Sequence, residues 1–125
     1  MRAVLDAGAM LGLEKRDRRM RALLHVLQQR EIDLCTSAAV VAQVWRNGGR
    51  QARLAQLLAG VAVRALAPGD DRRTGELLAN AGTHDVCDGH LALCVGNGDH
   101  VLTSDREDIE RLLSSRRIKA VLVDV

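Results

Sequence analysis

Aspartates close two apolar, strand-like runs at opposite ends of this chain. Val4-Leu5 leads into Asp6, and Val101-Leu102-Thr103-Ser104 leads into Asp105. A further acidic pair, Asp85 and Asp88, opens a helix-like segment between them, one turn apart on the same helix face. In an open α/β sheet, ligands bind beyond the carboxyl ends of the strands. Acids gathered there would form a carboxylate pocket drawn from distant parts of the sequence. Two carboxylates in close contact repel by roughly 4 kcal/mol at an effective dielectric near 20, so such a pocket calls for protons or a divalent cation. Mg²⁺ and Mn²⁺ take oxygen ligands and keep several waters. Held between carboxylates, either ion stabilises phosphate charge and lowers the pKa of an attacking water.

Each acid also has a plain structural role open to it. Asp6 can be a strand-end residue facing solvent. Asp85 is a natural helix N-cap, and Asp88 can complete a capping box or favour the helix dipole. Ser104 with Glu107 matches a capping box, which leaves Asp105 and Asp108 as first-turn acids worth about 0.3 kcal/mol or slightly more each. The combination argues for a site, because first and fourth strands are neighbours in many doubly wound sheets and would bring Asp6 beside Asp105.

The elements that must position these acids are legible as alternating periodicities. Strands are expected over residues 2–6, 33–36, 61–66, 100–103 and 118–123. Helices are expected over Asp17–Arg30, with Met20, Leu23, Leu24 and Leu27 on one stripe, and from Ser37 to Asn47, broken by Gly48-Gly49. Further helices are expected over Gln51–Ala59, Asp70–Ala81, Asp85–Val95 and Ser104–Ser115. Pro68-Gly69 is the strongest loop signal. This alternation predicts a mostly parallel five-stranded α/β sheet with helices on both faces.

Length and composition fit one domain over residues 1–125 with a single aliphatic core, since the chain has one Trp and no Phe or Tyr. The formal net charge of +2 identifies no partner by itself, but its distribution is uneven. Leu34 to Gly69 contains no acid yet holds Arg46, Arg50, Arg53 and Arg64, whereas Asp99, Asp105, Glu107, Asp108 and Glu110 cluster later. No signal peptide and no membrane-length apolar run is recognisable. The odd count of three cysteines fits a reduced, cytoplasmic setting.

The segments Val4-Leu5-Asp6-Ala7, Asp88-Gly89-His90-Leu91-Ala92 and Leu102-Thr103-Ser104-Asp105 resemble the three acidic signatures of PIN-domain nucleases. The segment Ser37-Ala38-Ala39-Val40-Val41-Ala42-Gln43-Val44-Trp45-Arg46, with the length and element order, resembles the VapC branch, the toxin half of type II toxin–antitoxin pairs. The resemblance spans essentially the whole chain. It implies a PIN-like fold and a Mg²⁺- or Mn²⁺-dependent endoribonuclease, dimeric and neutralised by a VapB antitoxin. It also implies that Asp6, Asp88 and Asp105 are the catalytic, metal-site acids, with Asp85 and Asp108 as nearby extras. The family pattern has a further acid, usually Glu, on the helix after the second strand. Gln43 stands there in this chain, which brings an amide oxygen and no charge.

Arg46, Arg50 and Arg53 are candidate contacts to RNA phosphates, with a solvated helix face as the alternative. Without Phe or Tyr there is no base-stacking platform, and Trp45 fits core or a dimer interface. Cys87, His90 and Cys94 share one side of a helix. Three ligands from one straight helix rarely converge on tetrahedral zinc, which favours a buried structural role. His25 and His84 have no evident catalytic partner. Walker A, dinucleotide-binding and nucleophile-elbow motifs are absent. A phosphoacceptor receiver domain would carry its acceptor Asp after the third strand, where Ala67-Pro68-Gly69 stands instead. A PIN domain that binds RNA or antitoxin without cutting is the second rival, and Gln43 keeps it open.

Overall fold

The computed structural model describes residues 1–125. Five strands, β1 (Arg2–Leu5), β2 (Asp33–Ser37), β3 (Val61–Arg64), β4 (His100–Thr103) and β5 (Val121–Asp124), form one sheet in the order β3-β2-β1-β4-β5. Every pairing is parallel, so the sheet is wholly rather than mostly parallel. The helices are α1 (Ala7–Glu14), α2 (Arg18–Gln29), α3 (Ala38–Val44), α4 (Ala52–Ala59), α5 (Asp70–Ala81), α6 (Val86–Leu93) and α7 (Arg106–Ser115), with a 3₁₀ turn at Gly48–Arg50.

The chain winds from β1 outward to β3, then crosses back to β4 and on to β5. With right-handed crossovers, α1–α4 and α5–α7 fall on opposite faces; helices pack within each set, and α3 also packs against α6 of the other. Both faces of the central strands are therefore covered, which explains why Ala3, Val4 and Leu5 are all fully buried in a continuous apolar run. Leu5, Met10, Leu54, Leu91, Leu102, Ile109 and Leu112 are the largest apolar side chains sealed inside. Each contributes roughly 1.5–3 kcal/mol through burial. The direction of winding reverses between β1 and β4, whose register sets Leu5 beside Leu102. This switch point is where Asp6 and Asp105 emerge.

The expected segment ends shift by a few residues at several elements. The helix after Ser37 stops at Val44, where Trp45 turns extended. The third strand ends at Arg64 and the fifth begins at Val121. The larger difference is α1, a segment given no helix in the sequence reading. Its Gly8 and Gly12 depress helix propensity, and its apolar residues ring the helix rather than forming a stripe. Both glycines answer to tertiary contact. A Cβ on Gly8 would lie 2.1 Å from Ser104 Oγ, and one on Gly12 would lie 2.9 Å from Met20 Cγ.

Candidate metal centre

Three helix N-termini converge at the switch point, and an aspartate stands at each. Asp6 caps α1, its Oδ1 accepting from the Ala9 N–H at 2.8 Å. Asp85 caps α6, its Oδ1 accepting from the Asp88 N–H at 3.0 Å. Asp105 occupies the N-cap position of α7 without a side-chain cap bond. Asp88 and Asp108 then project from the first turns of α6 and α7.

Asp6 corrects the solvent-facing alternative, since it is buried. Its second oxygen, Oδ2, accepts from the Ser104 N–H at 2.9 Å, tying the end of β1 to the turn after β4. Ser104 is thereby removed from the capping box expected with Glu107, and α7 begins at Arg106 instead. The Asp105 N–H donates to Thr103 Oγ1 at 2.9 Å. Gly8 lets α1 approach this turn closely enough for the Asp6–Ser104 bond to form. Neither Gly8 nor Ser104 announces this role by residue type, because the contact spans almost the whole chain.

One carboxylate oxygen from each of Asp88, Asp105 and Asp108 lies within 4.8 Å of the other two. Charges at that separation repel by about 3 kcal/mol per pair at an effective dielectric near 20. A helix N-terminus returns only about 0.3–1 kcal/mol per acid. The imbalance shows in Asp88, whose carboxyl is pushed up to about 7, first by burial and then by Asp85, Asp105, Asp6 and Asp108. Burial followed by Asp105 also raises Asp108. An all-oxygen donor set crowded around the raised carboxyl of Asp88 suits a hard divalent cation such as Mg²⁺ or Mn²⁺. Asp6 stands close enough to raise Asp88 but lies outside the tightest trio. Asp85 is exposed at the rim. Gln43 is exposed on α3, a helix that packs against α6.

The candidate RNA-contacting arginines are partly committed elsewhere. Arg46 Nη1 donates to the carbonyls of Ala42 and Trp45, and Arg53 Nη1 donates to the carbonyl of Glu14. Arg50 is exposed on the 3₁₀ turn. The loop between α3 and α4 is organised by Gln51, a residue the sequence did not single out. Its Oε1 accepts from the N–H groups of Arg46 and Asn47, and its Nε2 donates to Glu14 Oε1 and the Val44 carbonyl.

The far end of α6 is held by three guanidinium groups. Arg116 donates to the carbonyls of Ala92 and Val95, Arg64 to that of Leu93, and Arg2 to that of Cys94. Cys87, His90 and Cys94 take structural places along α6, Cys87 in its first turn and Cys94 at its end. Cys87 Sγ faces the Ala39 carbonyl, Cys94 Sγ faces the His90 carbonyl, and His90 Nε2 lies 3.4 Å from the buried Asp70 carboxylate. The Ala67 N–H, more than any other group, holds Asp70 below the usual carboxylate range. His25 and His84 are exposed.

No protein-family model matches this sequence, and no curated protein matches it. Solved structures do match its fold. VapBC2 from Rickettsia felis, bound to a DNA fragment from their promoter, aligns at a TM-score of 0.68 with 15% identity, covering 100% of this chain and 99% of the matched one. FitAB bound to an IR36 DNA fragment aligns at a TM-score of 0.65 with 16% identity, covering 96% of this chain and 94% of the matched one. At such identities the likeness is one of fold, and the architecture is the PIN-like α/β sheet that the acidic signatures implied. No helix is long and apolar enough to cross a membrane.

Proposed function

We propose that this protein is a VapC-like endoribonuclease that hydrolyses RNA phosphodiester bonds with a divalent cation. The observation that carries this reading is the carboxylate trio at the switch point, with Asp88 raised toward neutrality among unpaired acids. Asp88, Asp105 and Asp108 would hold Mg²⁺ or Mn²⁺, with Asp6 completing the acidic wall and bracing the turn that carries Asp105. The ion would supply charge neutralisation at the phosphate and a lowered pKa for the attacking water. The chain's own share is positional. Asp6 fixes the β4–α7 turn through the Ser104 N–H, Asp85 fixes the first turn of α6 through the Asp88 N–H, and the arginines at the far end of α6 hold that helix in place. In this reading the protein acts in the cytoplasm as a homodimer neutralised by a VapB-like antitoxin, consistent with the fold shared with VapBC2 and FitAB.

The test is cleavage of RNA with Mg²⁺ or Mn²⁺. Asp6→Ala and Asp88→Ala each abolish cleavage and cellular toxicity, as does excess EDTA. Full activity in either variant, or in EDTA, would sink the mechanism. The exposed amide at Gln43 favours a second reading, a PIN domain that binds RNA or antitoxin and cuts weakly. Tight RNA binding with negligible metal-dependent turnover would select it.

A further inference from the structure

Strand β2 lies between β1 and β3 and is packed by both α3 and α6, a place that favours a continuous apolar run. Its last two residues, Thr36 and Ser37, are polar and wholly buried. Ser37 caps α3, its Oγ accepting from the Val40 N–H at 3.1 Å. Thr36 has no such role. Its Oγ1 donates across the sheet to the Leu5 carbonyl at 2.7 Å.

That carbonyl belongs to the peptide group joining Leu5 to Asp6, and a peptide group is planar and rigid. The other end of the same group, the Asp6 N–H, donates to the Leu102 carbonyl of β4 at 3.1 Å. The plane that leads into Asp6 is therefore clamped from both neighbouring strands. Beyond it, the Asp6 carboxylate accepts from the N–H groups of Ala9 and Ser104, and the Asp6 carbonyl accepts from that of Met10 at 3.2 Å. All of those partners are main chain. Thr36 is the side chain that joins the set. Valine would keep the β-branched shape that suits a strand and lose only the donor, so shape and propensity do not account for a hydroxyl here.

We infer that Thr36 is a positioning residue for the acidic centre, an inference that rests on the ribonuclease reading. Its hydroxyl fixes the tilt of the Leu5–Asp6 peptide and so the direction in which Asp6 projects. Through the bond from the Ser104 N–H to Asp6, it also steadies the turn that carries Asp105. Thr36 is fully buried, so it acts on the placement of the acids and not on the binding of RNA. A misplacement of about 1 Å at a catalytic centre can cost on the order of a hundredfold in rate. Losing one of several bonds around Asp6 is a smaller disturbance, for which about tenfold is expected.

The experiment compares Thr36→Val and Thr36→Ala, which lack the donor, with Thr36→Ser, which keeps it. Both readouts are taken well below the melting transition. In metal-free protein, amide hydrogen exchange at Ala9 and Ser104 is expected to speed about tenfold in the valine and alanine variants and to match wild type in the serine variant. The Ile118 N–H, bonded to the Leu113 carbonyl beyond the far end of α7, is the control and should keep its wild-type rate. With Mn²⁺ and RNA, kcat is expected to fall about tenfold in the valine and alanine variants, with KM within about twofold of wild type, and to recover in the serine variant. Unchanged exchange at Ala9 and Ser104 in the valine variant would overturn the proposal. So would equal acceleration at Ile118, which would mark a role in global stability alone, or a valine variant with the kcat of an active wild type. If the wild type cleaves no RNA, the nuclease reading fails, and the exchange rates alone decide whether Thr36 sets the position of Asp6.

Discussion

The two ends of α6 are treated in opposite ways. At its C-terminus, four successive carbonyls from Ala92 to Val95 each receive a guanidinium hydrogen bond, from Arg116, Arg64 and Arg2. At its N-terminus, Asp88 faces Asp6, Asp85, Asp105 and Asp108, none of them in an ion pair, and no cation is among the groups that act on it. Both ends obey the helix dipole, which favours anions at the start and cations at the finish. The difference is that one end is closed by the chain's own groups and the other gathers carboxylates that no cation of the chain pairs with. A site of like charges needs a rigid mount, and the satisfied end supplies it.

Removing the charge at the open end tests this contrast most severely. Asp88→Asn is expected to cut RNA cleavage by about a thousandfold, several kcal/mol of lost transition-state stabilisation. The same change should make the metal-free protein more stable at neutral pH. The sign follows from the shift. Asp88 in the folded protein titrates at about 7, above its ordinary value of 3.8. Folding therefore takes up a proton between those values, and the metal-free protein loses stability as pH rises from 4 toward 7. Melting of the metal-free wild type should fall by a few degrees between about pH 5 and pH 8. Asp88→Asn should remove most of that slope, the raised Asp108 carrying the rest, and saturating Mg²⁺ should remove it. Asp70 and Asp99, both shifted downward, act below the ordinary carboxylate range and leave this window untouched. A flat wild-type profile would show that the open end is not under charge strain.

At the closed end, Arg116→Met takes the guanidinium from the Ala92 and Val95 carbonyls, of which Ala92 keeps the Val95 N–H. The expected loss is about 2 kcal/mol of stability, or roughly 8 °C in melting. Cleavage per folded molecule is retained at temperatures well below the transition. A larger loss of turnover than of stability would mean that the mount also tunes the acids. The smallest effect is expected from Gln43→Glu, which adds a charge on the exposed face of α3. Mn²⁺ binding measured by calorimetry should tighten about threefold, within the range of a solvent-screened charge pair. No change in affinity or rate would remove the missing acid from the account of this site.

Much of this architecture was legible in the residues. The alternation of periodicities fixed the strand and helix order, and Ser37 and Asp85 cap the helices they were expected to cap. The strand-end position of Asp6 and Asp105 pointed to the switch point because parallel sheets place loops there. What escaped notice depended on distance in sequence. Helix α1 was hidden because its glycines are set by Ser104 and Met20 rather than by helix propensity. The Ser104 capping box looked sound locally but lost to a bond from the Ser104 N–H to Asp6. The arginines that finish α6 come from β1, β3 and the end of α7, and nothing in residues 92–95 signals their arrival, because the acceptors are backbone carbonyls.

The bond between Asp6 and Ser104 has a consequence for the protein's birth. Its partners are 98 residues apart, and β1 cannot gain its β4 neighbour until most of the chain has been synthesised. During translation at about 5–20 residues per second, the N-terminal aspartate waits several seconds for the segment that completes its surroundings. A ribosome-bound fragment ending before β4 holds Asp6 and Asp88 but lacks Asp105 and Asp108, so the full acidic cluster exists only once residue 108 has been made.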